Sequence, residues 1–324
     1  MSRTFVAAVL AAALFASAFG PAAADTKNKR IAFVATSTKN PFIAAIARTI
    51  EKEGQARGMK VTVLTSGYDS AAQDQLIGDT IAQKYDAIAL LPVDAHAVIP
   101  ALTRAKQAGL PVVLVNSPIE SGHEDLYTAF VGERQEELGN ASGEALVHAV
   151  KNRKTAKIAI ISGTLSEATP QLRIESFKKA IAKDPKIRIL SIEDAKWNMA
   201  KSEQIAGQLF ARYAAQGGLD AIYAMADNMA HGVVQAAKAA DVQLGTSDGK
   251  LIVVSSTCMK FGMDHIRAGR QYSTATNLPT RTGRVAVEVI ADVLNGKTVK
   301  KNNFQPVESI TGGNVGKYVK ACTY

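Results

Sequence analysis

The chain has 324 residues and a formal net charge of +9; 47% of the residues are hydrophobic and 21% are charged. That apolar content excludes a disordered chain, and the length allows two domains at about 100–200 residues each. Two cysteines and five histidines, with no two histidines at a metal-like interval, exclude a disulfide-dense scaffold and leave no metal site or cofactor to expect.

Residues 1–24 read as a secretory signal peptide. Ser2 and Arg3 make a short basic start, Phe5 to Phe19 an apolar run, and Ala22 to Ala24 the small residues of a cleavage site. The run is too short for a membrane anchor, which needs about 20 apolar residues. Removing it takes away one positive charge. The remaining lysines (Lys27, Lys60, Lys151 and Lys178 among them) are scattered without aromatic interleaving. They read as solvated faces, so no nucleic-acid partner is expected.

The stretch Ile31 to Ile43 reads as a buried strand, a polar turn and a helix start, with Pro41 at the first helical position. The helix runs from Phe42 to Arg57. A strand at Lys60 to Ser66 and a helix at Ser70 to Lys84, capped by Ser70, follow. AIALL before Pro92 and PVVLV before Asn116 are continuous apolar strands of the doubly covered, parallel type. A helix at 97–108 lies between them, and a short strand at Tyr127 to Val131 ends the first series.

The second series repeats the pattern. Its strands are 157–161, 187–192, 219–224, 251–254 and 272–276. Its helices are 134–153, 170–183, 199–216, 229–240 and 258–268, with a last long helix at 280–294. Strict alternation predicts an α/β fold of parallel sheets with right-handed crossovers. The natural crossing points between halves are Gly132-Glu133 and Asn277-Leu278-Pro279. Two similar doubly wound lobes should face each other, with strand carboxyl ends pointing into a shared cleft.

The strand ends carry hydroxyls and amides: Thr36, Ser37, Asn40, Asp94, Asn116, Ser117, Thr164, Asp227, Asn228, Thr257 and Asn277. Groups that both donate and accept suit a small polyhydroxylated ligand. Phe42 and Trp197, the only tryptophan, suit the apolar face of a sugar ring; Trp197 follows a strand in a polar turn, which favours a cleft position over a core one. Arg173, one turn before Phe177, is either a solvated helix charge or a ligand contact. No GxGxxG follows a strand, and no phosphate-binding GxxxxGK[ST] or GxSxG elbow occurs. Asp227 with His231 one turn on makes no recognisable dyad, so no enzyme is expected. In an exported chain, disulfides persist, and Cys258 and Cys322 are expected to bridge a strand end to the C-terminal tail; two free thiols are the alternative.

Taken together, IAFVATSTKNPF at 31–42, PVVLVN at 111–116, RIESF at 173–177, ADNMAHG at 226–232 and NLP at 277–279 resemble the type I periplasmic sugar-binding proteins of ABC transporters, in the ribose-binding manner. The resemblance implies two lobes on three hinge segments, closing on one ligand. It places residues 25–132 with 278–304 in one lobe and 133–277 with 305–324 in the other. It also implies a periplasmic monomer that delivers a monosaccharide or sugar alcohol to a membrane permease, or alternatively presents a small polar ligand to a membrane receptor. Asn40 and Phe42 would hold and cover the ligand, Asn116, Ser117 and Arg173 would bond it, Trp197 would stack and Asn277 would line the hinge. Asn116-Ser117 replaces a typical Asp-Arg pair, Thr257 replaces an Asp, and Leu91 and Ala226 replace amides. Each lost charge-assisted bond is worth about 1.5–3 kcal/mol. A ligand with fewer hydroxyls than ribose is therefore expected: a shorter polyol, a deoxysugar or another polar solute. Arg173 keeps a sugar acid among the candidates.

Overall fold

The computed structural model describes residues 26–324, so the signal peptide read over residues 1–24 lies outside the described residues. In the first lobe, strands β1 (Arg30–Ala35), β2 (Lys60–Thr65), β3 (Ala87–Leu90), β4 (Val112–Val115) and β5 (Ala129–Glu133) pair in parallel. In the second, β6 (Ala156–Ser162), β7 (Ile187–Asp194), β8 (Ala221–Ala224), β9 (Ile252–Ser255) and β10 (Ser273–Ala275) do the same. The chain then returns: β11 (Asn302–Gln305) runs parallel to β5 at the edge of the first sheet, and β12 (Ser309–Thr311) runs antiparallel to β10 in the second.

Side-chain alternation explains why each sheet is covered twice. Ile31, Phe33 and Ala35 face α1 (Pro41–Ala56) and α9 (Pro279–Leu294). Ala32 and Val34 face α2 (Ser70–Ala82) and α3 (Ile99–Gln107). In the second sheet, Ile158 and Ile160 pack towards α4 (Gln135–Ala149) and α5 (Ala168–Ile181). Ala159 and Ile161 pack towards α6 (Met199–Tyr213) and α7 (Asp227–Ala239). Each fully buried Ile or Phe contributes about 1.5–3 kcal/mol.

Helix starts follow local chemistry. Asn40 Oδ1 accepts from the Phe42 amide at 2.9 Å, with Pro41 opening α1. At α2 the cap is Asp69, not the expected Ser70: its Oδ1 accepts from Ala71 and Ala72. The helix expected from Cys258 begins later, as α8 (Lys260–Arg267), and the strand expected at Tyr127 is displaced to Ala129–Glu133. Cys258 and Cys322 form the expected disulfide, with Cα atoms 4.9 Å apart. The bond is buried against Met263, Ile266 and Ile310.

The chain crosses between sheets three times, after β5, β10 and β11, and one polar knot ties the crossings together. Glu133 is fully buried at the end of β5. Its Oε1 accepts from the Leu278 amide and from Arg281 Nη2, each at 3.2 Å. The same Nη2 donates to the Pro306 carbonyl at 3.1 Å, in the third crossing.

Candidate functional site

The loops at the strand carboxyl ends of both sheets meet around a small cavity, partly open to solvent. Its first-lobe wall holds Thr36, Asn40, Phe42, Asn116 and Ser117; its second-lobe wall holds Arg173, Trp197 and Thr257; and Asn277 lies at the second crossing. The structure thus brings together nine residues proposed from sequence, with Asn228 beside them. Tyr68, Glu167 and Thr169 complete the polar lining, and Ile43, Leu91, Ala226 and Met259 the apolar lining.

Four wall residues hold left-handed backbone: Tyr68 (φ 68°), Asn116 (φ 65°), Trp197 (φ 56°) and Thr257 (φ 103°). Asn tolerates this region, but a β-branched Thr and a bulky Trp do not, and each strained residue costs on the order of 1–3 kcal/mol. Such strain persists where surrounding structure over-determines it, and here it turns each side chain from its strand end into the gap.

Arg173 is buried and is not a solvated helix charge. Its Nε donates to Gln135 Oε1 at 2.8 Å, and its Nη1 to the Met225 carbonyl at 3.2 Å and Ser256 Oγ at 3.3 Å. With its amide turned to satisfy both neighbours, Asn277 accepts from Arg173 Nη2 at 3.1 Å and donates to Glu133 Oε2 at 2.8 Å. A guanidinium has five N–H donors, so one Nη2 hydrogen remains for the cavity. Burial pushes the Arg173 pKa down, opposed by Tyr223, Glu133 and Glu167.

Glu167 precedes α5. Burial pushes its pKa from 4.5 up to about 7, against the hydrogen bond that Trp197 Nε1 donates to its Oε2 at 2.7 Å. Its other oxygen, Oε1, is buried without a hydrogen bond within 3.5 Å, as are Asn116 Oδ1 and Thr36 Oγ1, although the nearby Thr164 hydroxyl also favours the ionised carboxylate. Burial and the facing Glu167 raise the Tyr68 pKa. Ser117 Oγ and Thr169 Oγ1 meet at 2.9 Å, joining the two lobes directly.

Four proposed residues stand elsewhere. Asp94 caps the turn after β3, its Oδ1 accepting from the His96 and Ala97 amides at 2.9 and 2.8 Å. Thr164 lies in the turn before α5, where its carbonyl accepts from the Glu167 amide at 3.0 Å. Ser37 lies outside the cavity, on the outer groove, and its Oγ accepts from the Lys39 amide at 3.3 Å. The alternation of the chain after β1 is the cause: Thr36 turns in and Ser37 turns out. Asp227 is fully buried behind the wall. Its Oδ2 accepts from the Met259 amide at 2.7 Å and Thr274 Oγ1 at 3.0 Å, and its Oδ1 from Gln271 Nε2 at 3.0 Å. Burial raises its pKa to about 6. It supports the wall, since its amide donates to Thr257 Oγ1 at 3.0 Å. Of the missed residues, Tyr68 had a usable signal, an aromatic in the turn after the second strand; Glu167 and Thr169 were hidden in a helix approach that the sequence reading started at Pro170.

Residues 31–298 match the family described as periplasmic binding protein domain. The ribose import binding protein of Bacillus subtilis (strain 168) is 27% identical over 286 residues, covering 88% of each chain. The D-allose-binding periplasmic protein of Escherichia coli (strain K12) is 25% identical over 319 residues, covering 95% of this chain and 96% of its own. A crystal structure of a galactofuranose binding protein superposes with a TM-score of 0.85 at 21% identity, covering 91% of this chain and 98% of that one. With two parallel α/β lobes around one cavity and the match spanning most of its length, this chain belongs to the periplasmic binding protein domain family.

Proposed function

We propose that this chain is the periplasmic solute-binding protein of an ABC importer, which takes one small monosaccharide or sugar alcohol into the interlobe cavity and delivers it to a membrane permease. It works as a monomer, after removal of residues 1–24, and carries out no reaction. Residues 25–132 with 278–304 move as one lobe against 133–277 with 305–324. Ligand contacts in both lobes favour the closed form, a hinge closure of the usual two-domain kind.

The observation that carries this reading is the buried, unpaired Asn116 Oδ1, turned by a left-handed backbone into a cavity lined by both lobes. An unsatisfied buried acceptor costs about 1–3 kcal/mol, and a ligand hydroxyl would satisfy it. The names of the relatives, which speak of ribose, D-allose and galactofuranose, support the same class. The test is a thermal-shift screen over pentoses, hexoses, tetritols, pentitols and sugar acids, followed by calorimetry. One bound ligand per chain is expected, with Asn116→Ala weakening it by about tenfold or more. Silence across the whole screen would remove the reading.

A further inference from the structure

The cavity lining is polar on both walls but for Ala226 and one apolar stretch formed by Phe42, Ile43, Leu91 and Met259. On the second-lobe wall, Glu167 keeps one carboxylate oxygen buried and unpartnered, while the other is fixed by the Trp197 indole. On the first-lobe wall, Leu91 stands just past the end of β3, where a strand-end reader of hydroxyls would sit. Its carbonyl is taken by Gln73 Nε2 at 3.0 Å, so only the isobutyl side chain is offered to the gap. Leu91 joins Phe42, Ile43 and Met259 in a single apolar cluster continuous with the core of the first lobe. None of these four side chains can answer a hydroxyl, and a hydroxyl buried without an answer costs about 1–3 kcal/mol.

We propose that the cavity selects a carbohydrate with one bare edge, a deoxy carbon or methyl group in place of a hydroxyl or hydroxymethyl, seated against Ile43, Leu91 and Met259 while a hydroxyl on its opposite edge donates to Glu167 Oε1. Glu167 and Leu91 are then the specificity-determining pair, one on each lobe. This rests on the carbohydrate-binding reading of the same cavity and narrows it. A sugar that carries hydroxyls on both edges leaves one of them buried against leucine and methionine. A fully apolar solute leaves Glu167 unanswered.

The test is calorimetry at pH 8, where Glu167 has shed its proton, with matched sugars: D-fucose against D-galactose, L-rhamnose against L-mannose, and 2-deoxy-D-ribose against D-ribose, with myo-inositol and erythritol as fully hydroxylated references. The wild-type chain is expected to bind one deoxy sugar at least about tenfold more tightly than its hydroxylated partner. Leu91→Asn should reverse that ratio. Glu167→Gln, which still accepts from Trp197 but turns the free oxygen into a donor, should weaken the deoxy ligand by about tenfold or more. Equal or tighter binding of the hydroxylated partner in every pair that binds, or a reference polyol that outcompetes them all, overturns the inference and leaves the carbohydrate reading standing. No heat from any of the eight compounds overturns the inference, and the carbohydrate reading falls with it only if the wider screen is silent too. Because the first comparison needs only wild-type protein, a variant that melts early does not remove the test.

Discussion

The indole of Trp197 lies directly on the backbone of Gly163. A Cβ at residue 163 would fall 2.0 Å from Trp197 Cε2 and 2.2 Å from Cζ2, far inside contact distance. The glycine at the end of β6 is therefore what allows the only tryptophan to stand in the cavity wall. Gly163→Ala should push the ring off Glu167, shift Trp197 emission, and weaken ligand by about tenfold or more. Unchanged emission and unchanged affinity would show that the ring position does not matter to binding.

The buried acids predict an unusual pH dependence of stability. Glu167 rises from 4.5 to about 7 and Asp227 from 3.8 to about 6 on folding, each chiefly through burial. The folded chain thus holds protons that the unfolded chain has already lost. Stability contributed by these groups is full below their unfolded values and falls as pH rises through their folded ones, between about pH 4 and pH 7. Each shift corresponds to about 3 kcal/mol, an order-of-magnitude figure. His265, pushed from 6.5 down to about 4 chiefly by burial, works the other way and gains stability up to about pH 6.5. Urea unfolding should therefore show a loss for the wild-type chain from pH 6.5 to pH 8 that Glu167→Gln flattens. A wild-type profile that rises over that range would contradict the burial argument.

The disulfide closes a loop with a sequence separation of 64 residues. By chain entropy it stabilises the fold by about 4 kcal/mol. Cys258 also lies between Thr257 and Met259 of the cavity wall, and the Tyr324 hydroxyl donates to the Thr257 carbonyl at 3.2 Å. Cys322→Ser should therefore lower both stability and ligand affinity. A variant that loses stability alone would separate the bridge from the wall.

Arg281 is the cation paired with buried Glu133. Arg281→Met leaves that carboxylate with only amide partners, at a cost of about 3 kcal/mol. Denaturant unfolding with the wild-type chain alongside measures it directly. A loss below about 1 kcal/mol would mean that the pair behaves like an exposed surface bridge.

The layered fold was readable because every central strand is apolar on both faces, and runs such as AIAL and VVLV have no other use. The short edge strands β11 and β12 were not readable: NNFQ and SIT carry no apolar alternation, and only a neighbouring strand makes them extended. At the site, strand-end position identified Thr36, Asn116 and Thr257, since the end of a parallel strand opens on the gap whatever follows it. The same rule overreached at Ser37, one residue further on, and at Asp227, whose partners Gln271 and Thr274 lie more than forty residues away in sequence. Glu167 carried no local signal, because an acidic residue at a helix start is ordinary; only its burial and its unpartnered oxygen set it apart.

The Glu133 knot has a mechanical meaning. One carboxylate grips the starts of two crossings and, through Arg281, the third. A turn of one lobe against the other would therefore share one pivot, because twisting one crossing would strain the other two. A handful of side chains at these crossings would then set the direction of any opening, whatever the cavity walls grasp.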